Sequence, residues 1–411
     1  MRPLKIRDFG LLWFGMTISL LGDGMYFVAI AWLVLRISNA PTALAIVGVA
    51  WTLPQVVFLL WAGVVSDRFD RRKVMIAADI LRAGAIGLIG VLAVSDAVRL
   101  WHVVILVAVY GAGEGFFMPA FSAIVPEVVP KDQLIQANSL DQFMRPVTLR
   151  FAGPALGGFI IGVFGIGTAF FLDAVTFIFS AVAIAGMRPS QLVDGSNEAD
   201  RDAIREMKEG FAYVRRHAWL WLSLLAAAVG LLAFYGPFQV LVPFLVKNSL
   251  NGSAGDLGLV FAVGGMGAIL ASVLMSQRGL PRRHITFTYL CWAAGTLTLI
   301  GYALASALWE VMIVTFVMEV LLTAGMIVWT ALLQGKVPGR LLGRVSSLDW
   351  LVSSSLIPLS YALTGPLAER AGLKTTFVAA GLFGGGAITL FLLAPRLHDV
   401  EREDAAPPVT A

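Results

Sequence analysis

Residues 143–187 read FMRPVTLRFAGPALGGFIIGVFGIGTAFFLDAVTFIFSAVAIAGM, two apolar stretches divided at Phe164 and Gly165. Each stretch has about the 20 residues that an α-helix needs to cross roughly 30 Å of hydrocarbon. Backbone polar groups find no water inside lipid, and these stretches are too long and too continuously apolar for barrel strands. The segment therefore predicts two consecutive membrane-spanning helices.

The same pattern recurs along the chain and predicts twelve spans. Hydrophobic residues make up 58% of the 411 residues and charged residues only 14%, against about 25% charged in ordinary soluble domains. This composition excludes a soluble enzyme, because a globular protein could not bury so much apolar surface. The predicted spans are Phe9 to Leu35, Ala43 to Val65, Val74 to Val94, Leu100 to Ile124, Phe143 to Val163, Ile166 to Met187, Leu220 to Val246, Leu257 to Gln277, Ile285 to Ala305, Leu308 to Leu333, Leu348 to Leu367 and Thr375 to Ala394.

The distribution of lysine and arginine predicts the orientation. With both termini in the cytoplasm, 22 of these residues fall in cytoplasmic segments and 5 outside, with Arg82, Arg145 and Arg150 inside helices. The positive-inside rule therefore favours cytoplasmic termini. The basic residues punctuate apolar runs and form no contiguous patch, so the net charge of +4 does not indicate nucleic-acid binding.

The longest polar interval predicts the domain organisation. We expect an N-terminal six-helix bundle at residues 1–190, a cytoplasmic linker at 191–217, a C-terminal six-helix bundle at 218–395 and a cytoplasmic tail at 396–411. Within the linker, apolar residues at helical spacing predict an amphipathic helix on the inner leaflet, with a solvated charged linker as the alternative. These residues are Ile204, Met207, Phe211 and Val214.

The two halves are predicted to be copies of each other. Val129-Pro130 and the Ser139-Leu140-Asp141 that follows recur, at a constant offset of 208, as Val337-Pro338 and Ser347-Leu348-Asp349. The matches occupy the same loop and following helix of each half, as a parallel repeat requires.

Acidic residues deep in the predicted spans are candidates for proton coupling. A carboxylate at that depth costs about 2.5–3.5 kcal/mol on insertion scales, so each one needs a reason. Asp23 and Glu114 are the main candidates and Glu319 a weaker one, with structural pairing to a polar neighbour as the alternative for each. Asp173 is interpreted as a packing residue.

Two further charged residues stand three apart in the third span. Asp79 and Arg82 share one face of that helix and are predicted to neutralise each other, or Arg82 reaches another carboxylate.

Two motifs resemble the major facilitator superfamily. Gly63-Val-Val-Ser-Asp-Arg-Phe-Asp-Arg-Arg-Lys73 is similar to its signature loop, with Asp70 where the family usually has glycine, and Gly153-Pro154-Ala-Leu-Gly-Gly158 is similar to its antiporter motif. Residues 18–23, 126–140 and 209–217 resemble its macrolide-efflux and enterobactin-exporter branch. The resemblance implies an all-α membrane protein with twelve transmembrane helices in two pseudo-symmetric six-helix bundles.

The resemblance also implies roles for particular residues. Gating is implied for Gly63, Asp67, Arg68, Arg71 and Arg72, with topology anchoring as the alternative for the basic cluster. Hinge motion, or plain close packing, is implied for Gly153, Pro154, Gly157 and Gly158. Large apolar side chains in the spans suit an amphipathic substrate or, alternatively, face lipid. They are Met25, Tyr26, Trp32, Phe117, Met118, Phe234, Tyr235 and Phe238.

The deep acids together with the resemblance predict a proton-coupled secondary exporter of amphipathic small molecules that works by alternating access in a bacterial inner membrane, and the resemblance implies a multidrug or macrolide-like type. The alternatives are a siderophore or lysophospholipid transporter of the same fold, and a non-transporting membrane receptor or scaffold. No phosphate-binding loop motif occurs, and the histidines lie at span edges or tails, so no ATPase or other catalytic site, metal or cofactor is expected. The expected partners are the substrate, protons and membrane lipids, with the protein a monomer.

Overall fold

The computed structural model describes residues 3–188 and 209–401. Within these residues the chain forms twelve helices long and apolar enough to span a membrane, which confirms the predicted fold class. They are α1 (Arg7–Ile37), α2 (Pro41–Arg68), α3 (Arg71–Val94), α4 (Leu100–Val128), α5 (Gln136–Phe164), α6 (Ile166–Ala185), α7 (Ala218–Ser249), α8 (Ala254–Arg278), α9 (His284–Leu304), α10 (Leu308–Lys336), α11 (Gly339–Ala371) and α12 (Leu373–Leu392).

Two helices begin earlier than their apolar windows. The hydropathy pattern places the starts of the fifth and eleventh spans at Phe143 and Leu348, whereas the helical turns leading into α5 and α11 begin at Leu134 and Gly339. Polar side chains occupy the added turns, and Asn138 and Ser346 among them are exposed. These turns form a helix with a wet face, which an apolar window does not detect.

The helix pairings repeat between the two halves. In the first half α1 packs against α5 and α6, α2 against α4, and α3 against α4 and α6. In the second half α7 packs against α11 and α12, α8 against α10, and α9 against α10 and α12, which is the same set six helices later. The halves meet through α2 against α11 and α5 against α8. The predicted pseudo-symmetry of two six-helix bundles is therefore present.

The apolar cores show where the halves touch. We call the end of the molecule with the described termini and the loops at 69–70, 279–283 and 337–338 the basic end. One core draws on both halves, for example Tyr26 with Tyr361, and fills the opposite end. The cores nearer the basic end each belong to one half, around Phe121 in the first and Trp329 in the second. The described halves therefore pack together at the opposite end and part toward the basic end.

Two membrane helices contain widened turns. Residues 146–152 of α5 and residues 237–241 and 245–249 of α7 are π-helical. Pro146 and Pro237 begin two of these turns, and proline lacks the backbone N–H that a regular helix uses. Such turns are frequent at functional sites, and the one in α5 contains Arg150.

The turn between α2 and α3 is built by a helix cap. Asp70, with φ of −53°, precedes α3, and its carboxylate accepts a hydrogen bond from the backbone N–H of Arg72 at 3.0 Å. Aspartate is a favoured N-cap residue. The aspartate that stands where the resembled loop has glycine therefore needs no left-handed backbone here.

Part of the predicted linker helix is described. Residues 209–216 are helical, whereas Ile204 and Met207 lie outside the described residues. Val214 is buried in the core of the second half, and Phe211 is 58% exposed. Along the described turns, one apolar residue thus packs on protein and the other faces outward.

Candidate functional site

The first candidate acid, Asp23, lies on α1 among aromatic rings. It is 9% exposed, and the Tyr110 hydroxyl of α4 donates a hydrogen bond to it at 2.6 Å. The Tyr110 ring stacks on Tyr26 with centroids 4.7 Å apart. Among the described residues Asp23 therefore has one hydrogen-bond partner, the Tyr110 phenol, and the Tyr110 ring contacts Tyr26, which lines a cavity between the halves.

The second acid, Glu114, lies on α4 one turn from Tyr110. The indole Nε1 of Trp51 on α2 donates a hydrogen bond to it at 2.8 Å. Gly115 brings the two helices together, because a Cβ there would lie only 2.8 Å from the carbonyl oxygen of Gln55. Glu114 as a whole residue is partly exposed.

A small aromatic cavity is lined by the hydrogen-bond partner of Glu114 and by Tyr26, on which the partner of Asp23 stacks. Its lining comes from both halves and includes Tyr26, Phe27 and Trp51 from the first, with Gln239 and Tyr361 from the second. The free space is about 40 Å³, enough for a few water molecules and far below the roughly 300 Å³ of small-molecule pockets. In this conformation the cavity offers only water-sized free space.

Glu319 joins the two halves. Arg150 of α5 donates a hydrogen bond to it at 2.5 Å, with side-chain exposures of 51% for Arg150 and 13% for Glu319. Gly265 of α8 permits this approach, because a Cβ there would lie 2.5 Å from the Arg150 carbonyl. The sequence left structural pairing as the alternative role for Glu319, and the structure contains such a pair. Because Arg150 and Glu319 belong to different halves, the pair depends on how the halves are arranged.

The opposite end is closed by polar contacts at helix ends. Lys247 of the second half donates to the Leu35 carbonyl in the last turn of α1 at 2.5 Å. Glu369 accepts from the Thr42 backbone N–H in the first turn of α2 at 3.3 Å. A cation at a helix C-terminus and an anion at an N-terminus both complement the helix dipole.

A pair of amides lies between these two caps. Asn39 and Asn248 exchange side-chain hydrogen bonds of 2.6 and 3.1 Å. We call Lys247, Glu369, Asn39 and Asn248 the outer clasp.

The predicted gating residues divide into two groups. Arg71 pairs with Glu127 of α4, and Arg72 donates to the last carbonyls of α6, including Ala185 at 2.9 Å. These bonds lie within the first half. Gly63 lies within α2, and the side chains of Asp67 and Arg68 lie outside the described part, so a latch to the second half stays a prediction.

The predicted hinge glycines lie at close helix crossings. A Cβ on Gly153 or Gly157 would lie within 2.8 Å of backbone atoms of α1. Gly158 instead faces α8 of the other half, where a Cβ would lie 2.9 Å from the Ala254 carbonyl. Pro154 borders the same crossing, because a Cβ on Gly258 of α8 would lie 2.5 Å from its carbonyl.

The predicted substrate residues are spread over several parts of the molecule. Tyr26 lines the cavity, Tyr235 packs edge-on against Tyr361, and Phe234 stacks on Phe238. The others lie away from the cavity lining: Met25 against Gly157, Trp32 under Lys247, and Phe117 and Met118 in the core of the first half.

Four partners around the site were not singled out from sequence: Tyr110, Trp51, Gln239 and Tyr361. Tyr110 precedes Glu114 by four residues and so shares its helix face, which is a signal that could have found it. Nothing in the sequence pattern indicates which indole reaches Glu114, or which residues of the second half close the cavity.

Comparison with known proteins gives one family over nearly the whole chain. The model of the transmembrane secretion effector family matches residues 1–409. Macrolide efflux protein A of Streptococcus pyogenes is 25% identical over 395 residues, covering 96% of each chain. Multidrug efflux pump Tap of Mycolicibacterium fortuitum is 29% identical over 396 residues, covering 92% of this chain and 94% of Tap.

Solved structures show the same fold. A bacterial homolog of the human lysosomal transporter Spinster, inward-facing and unoccupied, has a TM-score of 0.67 and 15% identity over the whole of both chains. A POT family transporter in complex with 5-aminolevulinic acid has a TM-score of 0.72 and 12% identity, covering 95% of this chain and 97% of its own.

Proposed function

Because the chain belongs to the transmembrane secretion effector family of the major facilitator superfamily, we propose that it is a proton-coupled exporter of amphipathic small molecules that works by alternating access. Membership makes it an integral membrane transporter rather than an enzyme, with small-molecule substrates. Proton coupling, the export direction and the orientation in the membrane go beyond family membership and are our proposals. The names of the relatives, macrolide efflux and multidrug efflux, support export of amphipathic drugs.

The observation that carries proton coupling is the placement of Asp23 and Glu114. Glu114 accepts a hydrogen bond from Trp51, which lines the cavity between the halves. Asp23 accepts one from Tyr110, whose ring stacks on the cavity-lining Tyr26. Ionisable residues at such depth mark ion and proton pathways. We infer that the ionised acids favour substrate binding and that their protonation favours release.

Alternating access is supported by the unequal ends of the molecule. The halves share a core and the outer clasp at one end and part toward the basic end. With the basic end in the cytoplasm, as the positive-inside rule favours, this conformation opens inward. Rocking the halves would break the outer clasp and the Arg150–Glu319 pair and open the other side.

Weakening the outer clasp should therefore shift the conformational balance outward. Lys247→Ala removes the cation at the C-terminus of α1, and Glu369→Gln removes the negative charge at the N-terminus of α2, each charge–dipole interaction being worth about 0.3–1 kcal/mol at an exposed site. We expect a few-fold rise in the outward-open population, measured as spin-label distances across the outer end in lipid nanodiscs. Lys374→Ala, which removes a basic residue at the start of α12, is the control. An unchanged distance distribution in the double variant would argue against the clasp.

The proposed function is tested in proteoliposomes. Macrolides, tetracyclines, catecholate siderophores and lysolipids are added in turn, and the internal pH is followed. A drug that drives proton movement, absent from protein-free liposomes, supports the proposal. Proton movement with a siderophore or lysolipid alone would reassign the cargo, and none with any compound would favour uncoupled transport or a receptor.

A further inference from the structure

Four ionisable side chains lie together between α1, α3 and α6 of the first half, and we call Asp23, Asp79, Arg82 and Asp173 the buried charge cluster. Asp79 and Asp173 are fully buried, Arg82 is 3% exposed and Asp23 is 9% exposed. The cluster thus places three carboxylates around one guanidinium. Three ionised carboxylates against one cation would leave excess negative charge in a low-dielectric site, which is costly.

Arg82 is committed to Asp79. The two side chains form an ion pair one turn apart on α3, as the sequence predicts. The guanidinium is also enclosed between the rings of Phe117 and Phe177, each with its centroid 4.4 Å away. Arg145 also attracts Asp23 electrostatically, but its guanidinium donates a hydrogen bond to Asp141 at 2.8 Å. Asp173 therefore has no cation of its own within the described cluster.

The surroundings of Asp173 stabilise an ionised carboxylate poorly. Its Oδ1 accepts a long hydrogen bond of 3.4 Å from the Thr176 hydroxyl, and its Oδ2 has no hydrogen-bond partner among the described residues. Burying an ionised carboxylate in this way costs several kcal/mol, and a bound proton removes that cost. The sequence interpretation of Asp173 as a packing residue does not account for the unpartnered oxygen.

Asp173 is also adjacent to the proposed proton site. It packs against α1 at Gly22, the residue before Asp23, where any Cβ would collide with Asp173 Oδ1. The titratable and charged groups around it are Asp23 and Tyr26 of α1, Arg82 of α3 and Tyr110 of α4. Asp23 is the member of the cluster that accepts a hydrogen bond from Tyr110, whose ring stacks on the cavity-lining Tyr26. It therefore lies on the side of the cluster from which a proton would reach Asp173.

We propose that Asp173 is a second proton-binding residue, which holds a proton in the described conformation and passes it to Asp23 when α1 and α6 rearrange. In that step the O–H bond of Asp173 breaks and the proton goes to the carboxylate of Asp23, which has by then released its own proton to the cavity. The inference rests on the proposed function, because it adds a residue to the same proton site.

Infrared difference spectroscopy of the purified protein tests the assignment. The protein in liposomes is titrated with base, and the carbonyl stretch of protonated carboxylic acids is followed. We expect a band that Asp173→Asn removes, that Asp23→Asn shifts without removing, and that the exposed control Asp96→Asn leaves unchanged. A band that survives Asp173→Asn, or that Asp23→Asn abolishes, would overturn the proposal.

Proton exchange is tested separately from proton binding. The Asp173 band must decrease as the pH rises, since a band that persists at every pH means a fixed neutral acid and refutes exchange. Asparagine is nearly isosteric with aspartic acid, and the Asp23→Asn arm keeps Asp173 itself, so the test does not depend on one variant folding. Because the titration uses no substrate, its result stands even if the protein exports none of the proposed drugs.

Discussion

Asp23→Asn is expected to reduce gradient-driven export to the level of protein-free liposomes while substrate exchange continues. The amide keeps the size of the carboxyl group and can still pair with the Tyr110 hydroxyl, but it cannot gain or lose a proton. Accumulation driven by an imposed pH gradient should therefore stop. Exchange of labelled for unlabelled drug at zero gradient, which needs only alternating access, should be retained.

The control for this prediction is an acid outside the membrane core. Asp96 lies in the loop after α3, pairs with Arg36 and is 77% exposed. Asp96→Asn should leave both assays unchanged. Full uphill transport by Asp23→Asn would show that the coupling proton binds elsewhere, whereas loss of exchange as well would mean that Asp23 is needed for binding or folding instead.

Arg82→Leu is expected to destabilise the protein strongly. The change leaves Asp79 fully buried without its partner and removes the cation between Phe117 and Phe177. Breaking a buried ion pair on one side typically costs about 3–5 kcal/mol. The free energy of unfolding, measured in detergent with denaturant, should fall by about that amount.

The double variant Arg82→Leu/Asp79→Leu separates charge from packing. Replacing a whole buried pair by apolar residues is often neutral, so the second substitution should restore most of the lost stability. If the double variant is as unstable as Arg82→Leu, the loss comes from packing around the aromatic rings. A loss of under about 1 kcal/mol in the single variant would mean that water or another cation reaches Asp79.

Much of the fold can be read from the sequence because the membrane is a strict solvent. Every backbone polar group in lipid must bond internally, so each long apolar run has only one available structure. The starts of α5 and α11 are less predictable. Asn138 and Ser346 lie in turns whose one face is wet, and a window average cannot distinguish such a turn from a loop.

The candidate site is predictable in part. Burial of a carboxylate in lipid is costly enough to single out Asp23 and Glu114 without a structure. The side chains around these acids come from other helices, so the sequence flanking Trp51 or Tyr361 does not indicate that either residue belongs to the site. Asp173 shows the limit most clearly, because its unpartnered oxygen becomes visible only once α1 and α6 are packed together.

The most direct test of proton coupling is simultaneous measurement of drug flux and proton flux in proteoliposomes with the membrane potential clamped. The wild-type protein should move protons in a fixed ratio to drug, and Asp23→Asn/Glu114→Gln should move drug by exchange with no linked proton flux. The same proton-to-drug ratio in the double variant would contradict a role for these two acids in coupling.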